Sequence, residues 1–115
     1  MKIRAGYEIS YDCPQPTPMI LTLSVHPSRI ADLLTPDRVR FDPPIPANTY
    51  HDGFGNFCHV IRAPVGRLTM SSDFLVQDEG EPDAVDPLAQ QHELGELPVE
   101  VLIYLLGSRY CETDR

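Results

Sequence analysis

The sequence predicts an all-β (mainly β) chain, an antiparallel β-sandwich of about six or seven strands with a C-terminal helix. Three observations carry that expectation. Apolar and polar residues alternate with a period of two in long stretches, the pattern of strands buried on one face. Proline fills 12 of 115 positions, against an ordinary share of about 5%, which favours short elements joined by rigid turns. Asp52-Gly53-Phe54-Gly55-Asn56 lies between β-prone runs and combines two turn dipeptides.

Taken in order, Ile3, Ala5, Tyr7, Ile9 and Tyr11 share one face of a first strand, with Lys2, Arg4, Glu8 and Ser10 on the other. Pro14, Pro16 and Pro18 then deny ladder donors, so this stretch is a loop or a sheet edge. Met19, Leu21, Leu23 and Val25 form the apolar face of a second strand. Between Pro27 and Pro36 there is room for a helical turn and no more. Arg38 to Asp42 is a short third strand, ended by Pro43-Pro44-Ile45-Pro46. The hairpin follows, with Asp52, Gly53, Gly55 and Asn56 as its turn residues; Asp-Gly and Gly-Asn supply the positive backbone angles a tight turn demands. After a second turn near Pro64-Val65-Gly66, one long strand aligns Leu68, Met70, Ser72, Phe74 and Val76 and reaches about Gln77.

Beyond Gln77 the composition changes. Seven acids and no Lys or Arg fall between Asp78 and Leu97, so residues 78–97 are an acidic connector with one helical turn around Leu88 to Leu94, after a β-domain at 1–77. Residues 98–115 begin with a helix: Pro98 suits its first turn, and Gly107 suits the position just past its end. Val99, Val101, Leu102, Ile103, Tyr104, Leu105 and Leu106 occupy nearly every azimuth, and a helix apolar all round is expected to be buried on all sides. Val99, Leu102, Ile103, Tyr104, Leu105 and Leu106 are therefore candidate residues of an interdomain or oligomer interface.

Charge narrows the functional classes. The net charge is -8, and residues 73–115 carry eleven acids against two bases. Such a balance repels phosphate backbones, so no nucleic-acid partner is expected. No apolar run approaches the ~20 residues that span a bilayer, and the N-terminus has no apolar signal core, so no membrane partner is expected either. Cys13, Cys58 and Cys111 are odd in number and widely spaced, which fits reduced thiols in a cytoplasm.

The chemical constellations are weak. Cys58-His59 suggests a thiol nucleophile and its base, yet neighbours on a strand point to opposite faces, and no third group orients His51 from across the hairpin. Cys13, His26, His51, Cys58, His59 and His92 lack the close pairing of a zinc signature, so no metal and no cofactor is expected. Asp12, Asp42 and Asp52 occupy turns and strand ends, where aspartate bonds its own backbone. Gly53 and Gly55 precede a strand rather than a helix, so they are not a phosphate loop. No catalytic residue is assigned.

Four stretches together resemble the N-terminal region of bacterial transglutaminase-like proteins, a group of cysteine-protease-related enzymes. They are Tyr7-Glu8-Ile9-Ser10-Tyr11 with its proline turn, the hairpin Asp52 to Asn56, the long strand ending at Val76, and Leu97-Pro98 through Leu105-Leu106-Gly107-Ser108-Arg109-Tyr110-Cys111-Glu112-Thr113-Asp114. The last is similar to the segment that leads into that family's catalytic domain. The resemblance implies a β-sandwich without catalytic residues that supports or orients a downstream Cys/His/Asp domain of the same protein. It also implies that the apolar helix docks on that domain; a helix this apolar is otherwise expected to pack on the sheet or on a second copy of the chain. Two rivals stand beside it: a stand-alone β-module that binds a protein or peptide, and a small thiol enzyme built on Cys58.

Overall fold

The computed structural model describes residues 1–109, 111 and 112. Two compact units divide the chain, Met1–Glu81 and Pro82–Arg115. The first holds six strands, β1 (Lys2–Cys13), β2 (Thr17–Leu21), β3 (Arg40–Asp42), β4 (Asn48–His51), β5 (Phe57–Ala63) and β6 (Gly66–Gln77). They form two three-stranded antiparallel sheets, ordered β1-β6-β3 and β2-β5-β4. The chain is mainly β, as its periodicity implies.

Both sheets contribute to one core. Cys13 from β1, Leu21 from β2, Ile61 and Ala63 from β5, and Leu68 and Met70 from β6 are buried together, with Ile9, Met19, Leu23, Phe41 and Ile45 packed against them. The alternation of β6 is the clearest determinant: Leu68, Met70 and Ser72 are buried and point one way, while Arg67 and Asp73 are exposed. β1 pairs with β6 along its whole length, from Lys2↔Gln77 to Cys13↔Gly66. Gly6 is fixed by this pairing, because a Cβ there would run into the Ser72 carbonyl oxygen.

Several boundaries differ from the sequence pattern for local reasons. β2 ends at Leu21, because the chain then turns away and the Val25 amide donates to the Asp37 carboxylate (2.7 Å). Pro18 lies inside β2, on the edge strand where a missing donor is harmless. Of the two hairpin glycines only Gly55 has a positive φ, 80°, so Gly53 does not supply the left-handed angle expected of it. Residues 78–81 stay with the sheets: Asp78 and Met1 exchange bonds of 2.7 and 2.8 Å, and Arg29 reaches the Asp78 carboxylate at 2.9 Å.

The helical turn near residue 30 is a 3-10 segment, Pro27–Asp32. In the second unit the helical turn expected around residues 88–94 lies later, as a 3-10 segment at Leu94–Glu96, where Glu93 and Glu96 form a reciprocal capping box. The apolar stretch is also 3-10, Val99–Leu105, rather than an α-helix. Contrary to the expectation of burial on all sides, every residue from Val99 to Leu106 is exposed. The eight residues between Pro98 and Gly107, three of them β-branched, are too few to sustain an α-helix without a packed face. Tyr110, Thr113 and Asp114, from the stretch similar to the family's lead-in segment, and Arg115 after it lie outside the described residues.

Candidate functional site

The hairpin tip is organised by one carboxylate. Asp52 Oδ1 accepts the backbone amides of Phe54 (2.8 Å) and Asn56 (2.9 Å), and Oδ2 accepts the Asn56 side-chain amide (2.9 Å) and the Cys58 thiol (3.8 Å). The Asn56 side-chain bond holds the Asp52 carboxyl below its usual range, aided by the two backbone amides and the thiol. A second clamp arrives from the loop before β3. His26 Nδ1 accepts the Ser28 amide (3.2 Å), which leaves the proton on Nε2 to be donated to the Phe54 carbonyl (3.2 Å). Gly55 lies so near the His26 ring that an added Cβ would sit 3.2 Å from Nε2. The tip is thus rigid, and it presents Phe54 with 56% of its surface exposed.

Beside the tip lies a groove of about 600 Å³, walled by Val25, Pro27, Ile30, Leu33, Leu34 and Phe57, with Asp37 and His51 as its ionisable groups. Asp37 also belongs to a polar cluster at the core. Its Oδ1 accepts the Ser72 hydroxyl (2.5 Å) and its Oδ2 the Val25 amide (2.7 Å), so loop and sheet are joined through one residue. Burial pushes the Tyr7 phenol up to about 12, and the Asp37 charge adds to that shift. His59 is pushed down by burial, with Asp37 opposing. Tyr7 Oη and His59 Nδ1 are buried with no hydrogen-bond partner among the described residues.

The Cys58-His59 pair separates as strand geometry requires. Cys58, 1% exposed, turns to Asp52 and the Asn56 carbonyl (3.7 Å), whereas His59 turns to the core-facing side and meets Phe57 edge-on at 5.1 Å. His51 contacts Phe57 at 5.4 Å. The sulfur therefore faces acceptors. Among the described residues no group of three or more His, Cys, Asp and Glu could hold a metal ion, and no helix is long and apolar enough to cross a membrane.

Of the residues singled out by sequence, Asp52, Gly53, Gly55 and Asn56 do form one turn, and Val99 to Leu106 form one exposed apolar segment in the other unit. Asp37 escaped the sequence pattern, and His26 entered it only among the rejected metal ligands, since isolated loop residues show no periodicity. Ser72 carried a usable signal: a hydroxyl in the inward row Leu68, Met70, Ser72, Phe74 needs a buried partner, and Asp37 is that partner. Comparison with family models, curated proteins and solved structures finds no match for this chain.

Proposed function

We propose that this chain is a non-catalytic β-domain of a cytoplasmic transglutaminase-like cysteine protease family protein, one that supports and orients a downstream Cys/His/Asp domain of the same polypeptide. One observation carries the reading. From Val99 to Leu106 seven of eight side chains are apolar and all eight residues are exposed, with Tyr104 at 68% and Leu106 at 74%. A contiguous apolar patch of this kind is a protein contact surface. The resemblance of the hairpin and of the stretch from Leu97 onward to transglutaminase-like proteins names the covering domain. Free thiols at Cys13, Cys58 and Cys111 support a reducing compartment.

The coding sequence beyond codon 115 tests this reading. An in-frame domain with a Cys, a His and an Asp is expected, and a stop codon there overturns it. With that domain attached, binding of a hydrophobic dye to the apolar segment should fall, and Leu102→Asp with Leu105→Asp should loosen the docked domain. The apolar groove walled by Ile30, Leu33 and Phe57 favours a second reading, a stand-alone module that binds a protein or peptide. A stop codon after residue 115 would favour it.

A further inference from the structure

The long edge of the β1-β6-β3 sheet has a symmetry of its own. Among the described residues β1 has β6 on one side and no strand on the other; it contains no proline and runs without a bulge for 12 residues. Such an edge is a template for another strand. Which of its groups face outward follows from the ladder. Met1 and Asp78 exchange bonds, so the pairs in step with them, at odd-numbered residues of β1, bond to β6. Leu75, opposite Arg4, confirms the alternation: its carbonyl goes to the Leu34 amide (2.8 Å) and its amide to Thr35 Oγ1 (2.8 Å), away from β1. Lys2, Arg4, Gly6, Glu8, Ser10 and Asp12 therefore direct their backbone groups off the edge.

We propose that β1 pairs antiparallel with β1 of a second copy, with Tyr7 facing Tyr7 across a two-fold axis, to make one continuous six-stranded sheet. This inference goes beyond the proposed function and concerns a different unit from the apolar segment. The outward set from Lys2 to Asp12 is symmetric about residue 7, so this register alone uses every outward amide and carbonyl. It also places Lys2 opposite Asp12 of the second copy, and Asp12 opposite its Lys2, on the same exposed face. Ile3 and Tyr11, left 38% and 52% exposed although they lie on the core-facing side of β1, face one another across the axis. Sliding one way puts Glu8 against Glu8. Sliding the other way sets Arg4 against Glu8, but Arg4 is already held by Asp73 through bonds of 2.9 and 2.6 Å. A self-complementary edge of this sort closes as a dimer and goes no further.

Sedimentation of the full chain, with amide exchange read by NMR across a concentration series, tests the proposal. A monomer–dimer equilibrium is expected, in which the amides of Arg4, Gly6, Glu8, Ser10 and Asp12 gain protection with concentration while those of Ala5, Tyr7 and Ile9 are protected throughout. Glu8→Pro removes only an outward donor and should abolish the dimer while the β circular dichroism persists. Lys2→Glu and Asp12→Lys should each weaken association about tenfold, and the double variant should restore it. A monomer at every soluble concentration overturns the proposal. So does a dimer that survives Glu8→Pro and is broken by Leu102→Asp, or a double variant no better than the single ones.

Discussion

Removing the Asp52 carboxylate takes acceptors away from two backbone amides, the Asn56 side chain and the Cys58 thiol at once. Asp52→Ala should lower the urea midpoint more than Asp52→Asn, which keeps an acceptor for part of the set. Cys58, 1% exposed beneath that turn, should react with iodoacetamide several-fold faster in the Ala variant, because local opening now suffices to expose it. In the same turn Gly55→Ala forces an L-residue into φ 80°, which costs about 1–2 kcal/mol before any contact with His26 is counted. His59 sets a pH dependence. Burial lowers its folded pKa beneath the unfolded value of about 6.5, so folding favours the neutral ring. Its contribution is complete above about pH 6.5 and is lost as pH falls through the lowered value, with the nearby Asp37 charge tempering the loss. The carboxyls of Asp52, Asp73 and Asp78 are also lowered, by hydrogen bonds to Asn56, Arg4 and Arg29 respectively, and their contributions go only beneath about pH 4. Stability measured by urea titration should therefore fall in two steps on acidification, and His59→Phe should remove the upper one alone.

At the scale of elements, legibility followed the period. β6 and β1 declared themselves because twelve-residue alternations average over many side chains, and the inward row Leu68, Met70, Ser72 was correct residue by residue. The hairpin was legible for a different reason: Asp52 and Gly55 carry turn chemistry that needs no tertiary help, although Gly53 turned out not to use its freedom. Val99–Leu105 is helical but exposed, because an all-round apolar pattern states that a segment can be buried but not what buries it. With Pro98 before it and Gly107 after, the stretch closes as successive 3-10 turns, such as Val101 N–H to the Pro98 carbonyl at 3.1 Å, and leaves its side chains outside. The groove next to the hairpin was illegible for the opposite cause. Apart from His51 and Phe57, its lining comes from a proline-containing loop, Ser24 to Asp37, whose shape is set by contacts distant in sequence: Asp37 to Ser72, His26 to Phe54, and Leu34 to Leu75.

On the scale of the whole chain, the boundary after Glu81 separates the acid-rich remainder from a unit that satisfies its own ends. Composition alone placed that change at Gln77, where the acids begin to cluster, but hydrogen bonding carries the fold a few residues further. Asp78 closes the β1-β6 ladder against Met1, accepts Arg29 from the 3-10 segment, and caps the Gly80 amide at 2.7 Å. A chain cut after residue 81 should therefore retain β circular dichroism and a cooperative unfolding transition close to that of the full chain. A chain cut after residue 77 keeps every strand but loses both backbone bonds between Met1 and Asp78, worth about 0.5–1.5 kcal/mol each. Its urea midpoint should drop with little change in slope, since the apolar core formed by Leu68, Met70 and Ile61 is the same in both pieces. Should the longer piece instead unfold without cooperativity, the sheets would depend on residues beyond 81, and the six strands would not be an independent folding unit.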